Sequence, residues 1–130
     1  MPNTDNDRFA KELGFRVVST SVESASVVAN VQERFLNGVD IAHGGFIFTL
    51  CDYAVAVASN TDERIAISSG ATIDYIEPIP PNCEVCANVK PIVITQKSGV
   101  YNVVISASEN PDKKFAVFSC RMIFKAVKHA

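Results

Sequence analysis

Leu36-Asn37-Gly38-Val39-Asp40-Ile41-Ala42-His43-Gly44-Gly45 runs without a break into Phe46-Ile47-Phe48-Thr49-Leu50-Cys51-Asp52-Tyr53-Ala54-Val55-Ala56-Val57-Ala58. The first ten residues read as a polar loop that tips, through two glycines, into a helix beginning at His43 or Gly44. That helix is apolar on nearly every side and carries one charge, Asp52. A helix apolar all round is either the buried centre of a fold or a membrane span. Spanning takes about 20 consecutive apolar residues, and this run is shorter and interrupted by a carboxylate. The chain therefore spends its one long apolar helix in its interior and leaves an acid there.

The rest of the chain supplies the layer that covers it. Upstream, residues 15–20 and 24–34 alternate, are rich in valine, and read as two strands joined by a turn at Ser21-Val22-Glu23. A short helix over about 6–13 precedes them, starting near Asp5 or Asn6 and stopping at Gly14, with Phe9 and Leu13 as its packing side. The central helix fades by Ser59-Asn60-Thr61, three poor helix formers in a row. From Ile65 the period becomes that of strands, over residues 65–76, 84–95, 100–109 and 115–127. Glu77-Pro78-Ile79-Pro80-Pro81-Asn82, Gln96-Lys97-Ser98-Gly99 and Asn110-Pro111-Asp112-Lys113 connect them, and the last two are tight enough for hairpins. Pro91 marks an edge or a bulge.

These elements imply one α+β domain over residues 1–130. Two strands and an antiparallel meander of four wrap one side of the helix. A single helix cannot cover both faces of such a sheet, so the open edges and the remaining apolar surface call for another copy of the chain.

With 130 residues, 48% apolar and 20% charged, a chain can bury a sizeable core. A net charge of −2 without a basic stripe argues against nucleic acid as the partner. The polar, acidic start, Met1 to Asp7, resembles neither a signal nor a transit peptide, and a cytoplasmic protein away from membranes is expected. Cys83 and Cys86 form a C-x-x-C, but residues three apart on a strand face opposite ways and do not share a metal. The four cysteines read as small apolar residues in a reducing compartment, and no metal or cofactor is expected.

The helix and its acid carry the chemistry. A helix N-terminus offers unpaired N–H groups and the positive end of the dipole, and glycines let a ligand approach that backbone. Gly44 and Gly45 thus open a place for a developing oxyanion, or else they merely begin a tightly packed helix. Asp52 lies nine residues beyond His43, about 13 Å along the axis and on the opposite side of the helix. It cannot act on a group held at its own Gly44. It can act on one held by a second subunit whose helix runs antiparallel across a two-fold axis, which implies composite sites at a dimer interface. The alternative for Asp52 is a buried acid satisfied by hydrogen bonds. His43 and Asn37, taken singly, are a helix-start histidine and a turn former.

Together, Asn37-Gly38, His43-Gly44-Gly45, Leu50-x-Asp52 and Thr72-Ile73-Asp74-Tyr75-Ile76-Glu77-Pro78 resemble the hotdog-fold acyl-CoA thioesterases of the phenylacetic-acid-degradation (PaaI) type. The resemblance spans nearly the whole chain. It implies an antiparallel sheet wrapped around a long central helix, and subunits paired into dimers and usually tetramers. It implies that Asp52 attacks the thioester or activates water, that the Gly44 N–H polarises the thioester carbonyl, and that His43 and Asn37 lie beside it. A serine on the strand after the helix would hold the attacking water. Ser68 and Ser69 face opposite ways, and Ser68 is preferred. Phe46 would narrow the acyl pocket. Related aryl-CoA thioesterases carry Glu where this chain has Asp52, and hotdog hydratases carry a D-x-N-x-x-H pattern that this chain lacks. The implied activity is hydrolysis of an aryl or short- to medium-chain acyl-CoA. The competing reading is a non-catalytic acyl-CoA-binding hotdog domain.

Overall fold

The computed structural model describes residues 2–127, and side chains from Thr4 onward. Two short helices, α1 (Pro2–Asp5) and α2 (Arg8–Leu13), lead into the hairpin of β1 (Arg16–Ser21) and β2 (Ser24–Asn30). A 3-10 turn (Glu33–Phe35) and an irregular loop reach the central helix α3 (Gly44–Ser59). β3 (Arg64–Tyr75), β4 (Glu84–Ile94), β5 (Ser98–Ala107) and β6 (Asn110–Ala126) complete the chain. All pairings are antiparallel, in the order β1-β2-β4-β5-β6-β3. The sheet curls round α3, which touches every strand.

The helix-covering face follows the strand alternation. Val27, Val85, Ala87, Val89, Val103 and Ile105 are all buried and point at α3, while the residues between them face away. From α3, Leu50, Cys51, Ala54 and Val55 are fully enclosed. Burying a Leu- or Val-sized side chain contributes about 1.5–3 kcal/mol, so this helix–sheet contact is the main stabilising feature of the fold.

A four-strand meander does not form. β4, β5 and β6 make a meander of three, while β3 lies beyond β6 at the sheet edge and β4 pairs with β2. The connector after β3 explains the difference. Pro78, Pro80 and Pro81 preclude a tight hairpin, and the segment instead crosses the start of α3. There Ile79 is buried and its carbonyl accepts from Ala42 N at 2.9 Å.

Smaller departures have equally local causes. The second strand stops at Asn30, where its pairing with Glu84 ends, and the chain turns so that Phe35 enters the core and stacks on Phe46 with centroids 4.6 Å apart. β5 starts two residues earlier than expected, and β6 starts at Asn110 because Asn110 already pairs with Ala107. Asp7 caps α2 by accepting from Ala10 N at 2.9 Å, and Gly14 ends it in the left-handed conformation at φ 75°. The packing side of α2 is Ala10 with Leu13, whereas Phe9 is 61% exposed. The slot beside α3 is already filled by Phe15, which contacts both Phe46 and Tyr53. Pro91 sits at a bulge between Pro91 and Val93, beyond the last β2–β4 pair, where β4 has no strand neighbour on that side among the described residues.

Candidate active site along the central helix

The loop before α3 is tied down from both flanks. His43 N donates to Phe35 O at 2.8 Å and Ala42 N to Ile79 O at 2.9 Å. Asn37 organises the turn between them: its Oδ1 accepts from Val39 N at 2.9 Å and Ile41 N at 3.3 Å. His43 is the N-cap, and its Nδ1 accepts from Gly45 N at 2.8 Å. Phe46 N and Ile47 N both donate to His43 O. Of the amides in this first turn, the Gly44 N–H alone has no hydrogen-bond partner among the described residues.

That amide borders a cleft of about 310 Å³ lined by Asn37, Ile41, Gly44, Ile47, Tyr75 and Pro78, among others. Its walls are mostly apolar, with few polar groups, as a small-molecule site requires. Two grooves of about 500 and 510 Å³ lie on the outward side of the sheet, around Ser26, Asn88 and Lys90 and around Ile92 and Val104. Neither contains any of the residues singled out for chemistry. His43 is exposed next to the small cleft. Phe46 does not border it: one step round the helix from Gly45, its ring is buried between Phe15 and Phe35, so it narrows no pocket there.

Tyr75, at the end of β3, went without a role in the sequence. Its hydroxyl donates to Gly44 O at 2.9 Å. A Cβ on Gly44 would stand 3.0 Å from that oxygen, so the glycine makes room for the phenol. Gly45 is constrained likewise: its Cβ would meet His43 Nδ1 at 3.0 Å. An aromatic in a strand is ordinary, so nothing short of the fold distinguishes Tyr75.

Asp52 is half-buried, eight residues beyond Gly44 on a regular helix, hence about 12 Å away. It has no hydrogen bond or ion pair among the described residues. Burial, and to a smaller extent repulsion by Asp7, raises its pKa above the ordinary 3.8. α3 is also not enclosed all round. Gly45, Phe48, Thr49, Asp52 and Ala56 form a stripe that the single chain leaves open, with Asp52 near its middle. The apolar run suggested burial on every side, but Phe48, Thr49 and Ala56 are only half-covered, Phe48 by the ring of Phe118.

Ser68 and Ser69 separate cleanly. Ser68 pairs with buried Met122, and its Oγ shares a 3.3 Å hydrogen bond with the Sγ of buried Cys120 on the helix side of the sheet. Ser69 is the extra residue of a bulge. It donates to Arg121 O at 3.2 Å and accepts from Arg121 Nη1 at 3.1 Å on the other side. The Cys120 thiol is pushed up by burial, against the pull of Ser68, and the Asp52 charge adds to the rise. Ser68, Cys120 and Asp52 thus share one neighbourhood, and Asn37, His43, Gly44 and Tyr75 share another. One chain does not bring the two together.

Residues 40–113 match the family model described as the thioesterase superfamily. The acyl-coenzyme A thioesterase PaaI of Escherichia coli K12 is 34% identical over 101 residues, covering 78% of this chain and 72% of that protein. A putative esterase of Archaeoglobus fulgidus is 29% identical over 105 residues, covering 81% of this chain and 68% of that one. The solved structure of the E. coli PaaI protein from the phenylacetic acid degradation operon superimposes with a TM-score of 0.88 at 29% identity, over 99% of this chain and 91% of that one. Matched in sequence over more than half its length and in fold over nearly all of it, the chain belongs to the thioesterase superfamily and is a hotdog-fold thioester hydrolase.

Proposed function

We propose that the chain hydrolyses acyl-CoA thioesters, carrying aryl or short- to medium-chain acyl groups, at composite sites formed between two copies. The observation that carries this reading is the unpartnered Gly44 N–H at the positive end of α3, bordering an apolar cleft. A thioester carbonyl placed there gains a donor that is already oriented for the oxyanion of the tetrahedral intermediate. The relationship to a protein named acyl-coenzyme A thioesterase supports CoA as the thiol.

The acid comes from the second copy. A two-fold axis near Phe48 and Thr49, midway between Gly44 and Asp52, lays two α3 helices antiparallel with their open stripes facing. Each Asp52 then stands near the other chain's Gly44. Half-covered Phe48 supplies apolar surface for such a contact. Both sheet edges, β1 and β3, are unpaired among the described residues, and a tetramer is proposed with the dimer. The raised pKa of Asp52 suits a base or nucleophile, which works best near the operating pH. Ser68 holds the attacking water, and His43 and Asn37 flank the thioester. Water adds its oxygen to the carbonyl carbon, the C–S bond breaks, and the proton lost by water ends on the CoA thiolate. Four free thiols suit a reducing, cytoplasmic setting.

The test is release of free CoA thiol from a panel of short aliphatic, long aliphatic and aryl acyl-CoAs, with Asp52→Asn alongside the wild type. Turnover by the wild type and a loss of at least about 1,000-fold in the variant, the scale of removing a base or nucleophile, supports the reading. Bound acyl-CoA without turnover by the wild type replaces it with a binding module.

A further inference from the structure

One peptide unit at the start of α3 is hydrogen-bonded at both ends by side chains. Tyr75 Oη donates to Gly44 O at 2.9 Å, and the N–H of the same unit, on Gly45, donates to His43 Nδ1 at 2.8 Å. We propose that Tyr75 is a positioning residue that acts through the Gly44–Gly45 peptide to hold His43 in one orientation and one tautomer. This rests on the thioesterase reading only for its kinetic consequence.

The physical link is amide resonance. A donor on the carbonyl increases the C=N character of the unit and strengthens its N–H as a donor, so the two hydrogen bonds reinforce each other. Because Nδ1 accepts, the proton of the neutral imidazole sits on Nε2, which remains as a donor beside the cleft. The two glycines are what make this chain possible. A Cβ at 44 would meet Tyr75 Oη and one at 45 would meet His43 Nδ1, each at 3.0 Å. A phenol is protonated through neutral and mildly alkaline pH, and the partial desolvation of half-exposed Tyr75, with Cys51 nearby, raises its pKa further. Tyr75 also pins the end of β3 to the start of α3, so the catalytic loop is fixed by a strand far from it in sequence.

The experiment is 15N NMR of histidine-labelled protein at about pH 8.5, where an ordinary imidazole is neutral, with Tyr75→Phe beside the wild type. The chain has only two histidines, His43 and His129, so His43→Asn assigns the signals. Expected in the wild type is an unprotonated Nδ1 and a protonated Nε2 at His43. In Tyr75→Phe, which keeps the ring, the two shifts draw together as both tautomers become populated. The same variant should lose roughly three- to tenfold in kcat, the scale of one hydrogen bond, with KM within about twofold. An unchanged 15N pattern overturns the proposal whatever kcat does. If the wild type turns over no acyl-CoA, the thioesterase reading falls and the NMR comparison still decides this one.

Discussion

Asp52 costs the fold stability. A carboxylate that is half-buried, without a hydrogen bond among the described residues and near Asp7, holds its proton more tightly in the folded chain than in the unfolded one. A raised folded pKa contributes stability fully below the unfolded value, near 3.8, and loses it as pH rises through the folded value. Asp52→Asn therefore raises Tm at pH 7 by roughly a few degrees, and the gain disappears below about pH 4, where the wild-type acid is protonated in both states. Thermal melts of the two proteins across that range check this. A variant less stable than the wild type at pH 7 would show that Asp52 has a partner in the assembled protein. Gain of stability together with loss of turnover is the pattern expected of a group kept for chemistry.

Among elements, the end of α3 away from the cleft is locked by a different device. Glu23, in the β1–β2 turn with φ 59°, accepts from Tyr101 Oη at 2.7 Å and pairs with Arg64. Arg64 also donates to Ser59 O, capping the last turn of α3, and lies 3.8 Å over the Phe124 ring. Burial alone would raise the Glu23 pKa, but the hydrogen bonds from Arg64 and Tyr101 and the Arg64 charge outweigh it and lower the value. Its stabilisation is therefore fully present above pH 4.5 and is lost as pH falls through the depressed value. Glu23→Ala strands the hydroxyl of fully buried Tyr101 and should cost about 1–3 kcal/mol by urea denaturation at pH 7. A change under about 0.5 kcal/mol, the range of an ordinary surface substitution, would mean the network is incidental. None of this was legible beforehand, because Glu23, Arg64 and Tyr101 are 37 or more residues apart and each is ordinary in its own segment. The elements themselves were legible. The α3 start announced itself through His43-Gly44-Gly45, and the strand residues alternate with period two. Strand ends at 30 and 98 were missed because pairing partners, rather than local propensity, decide them.

The whole molecule shows why the site could be read only in part. The position of Asp52, too far along α3 to meet its own Gly44, already pointed to two chains. The inward turn of Ser68 and the contact of Tyr75 with Gly44 depend on β3 lying beyond β6. That placement comes from the proline-rich crossover, and no local pattern in β3 encodes it. The composite site is the central claim, and complementation tests it most directly. Asp52→Ala removes the acid. Gly44→Pro removes the N–H at the first helical position, where the proline backbone fits, and its Cβ pushes aside the Tyr75 hydroxyl that stands 3.0 Å away. Each protein should be inactive alone. Mixed by co-refolding, half the dimers are hybrids, each with one intact site, so about a quarter of the wild-type acyl-CoA hydrolysis should return. Hybrids verified by mass that remain inactive would contradict a site shared between two subunits.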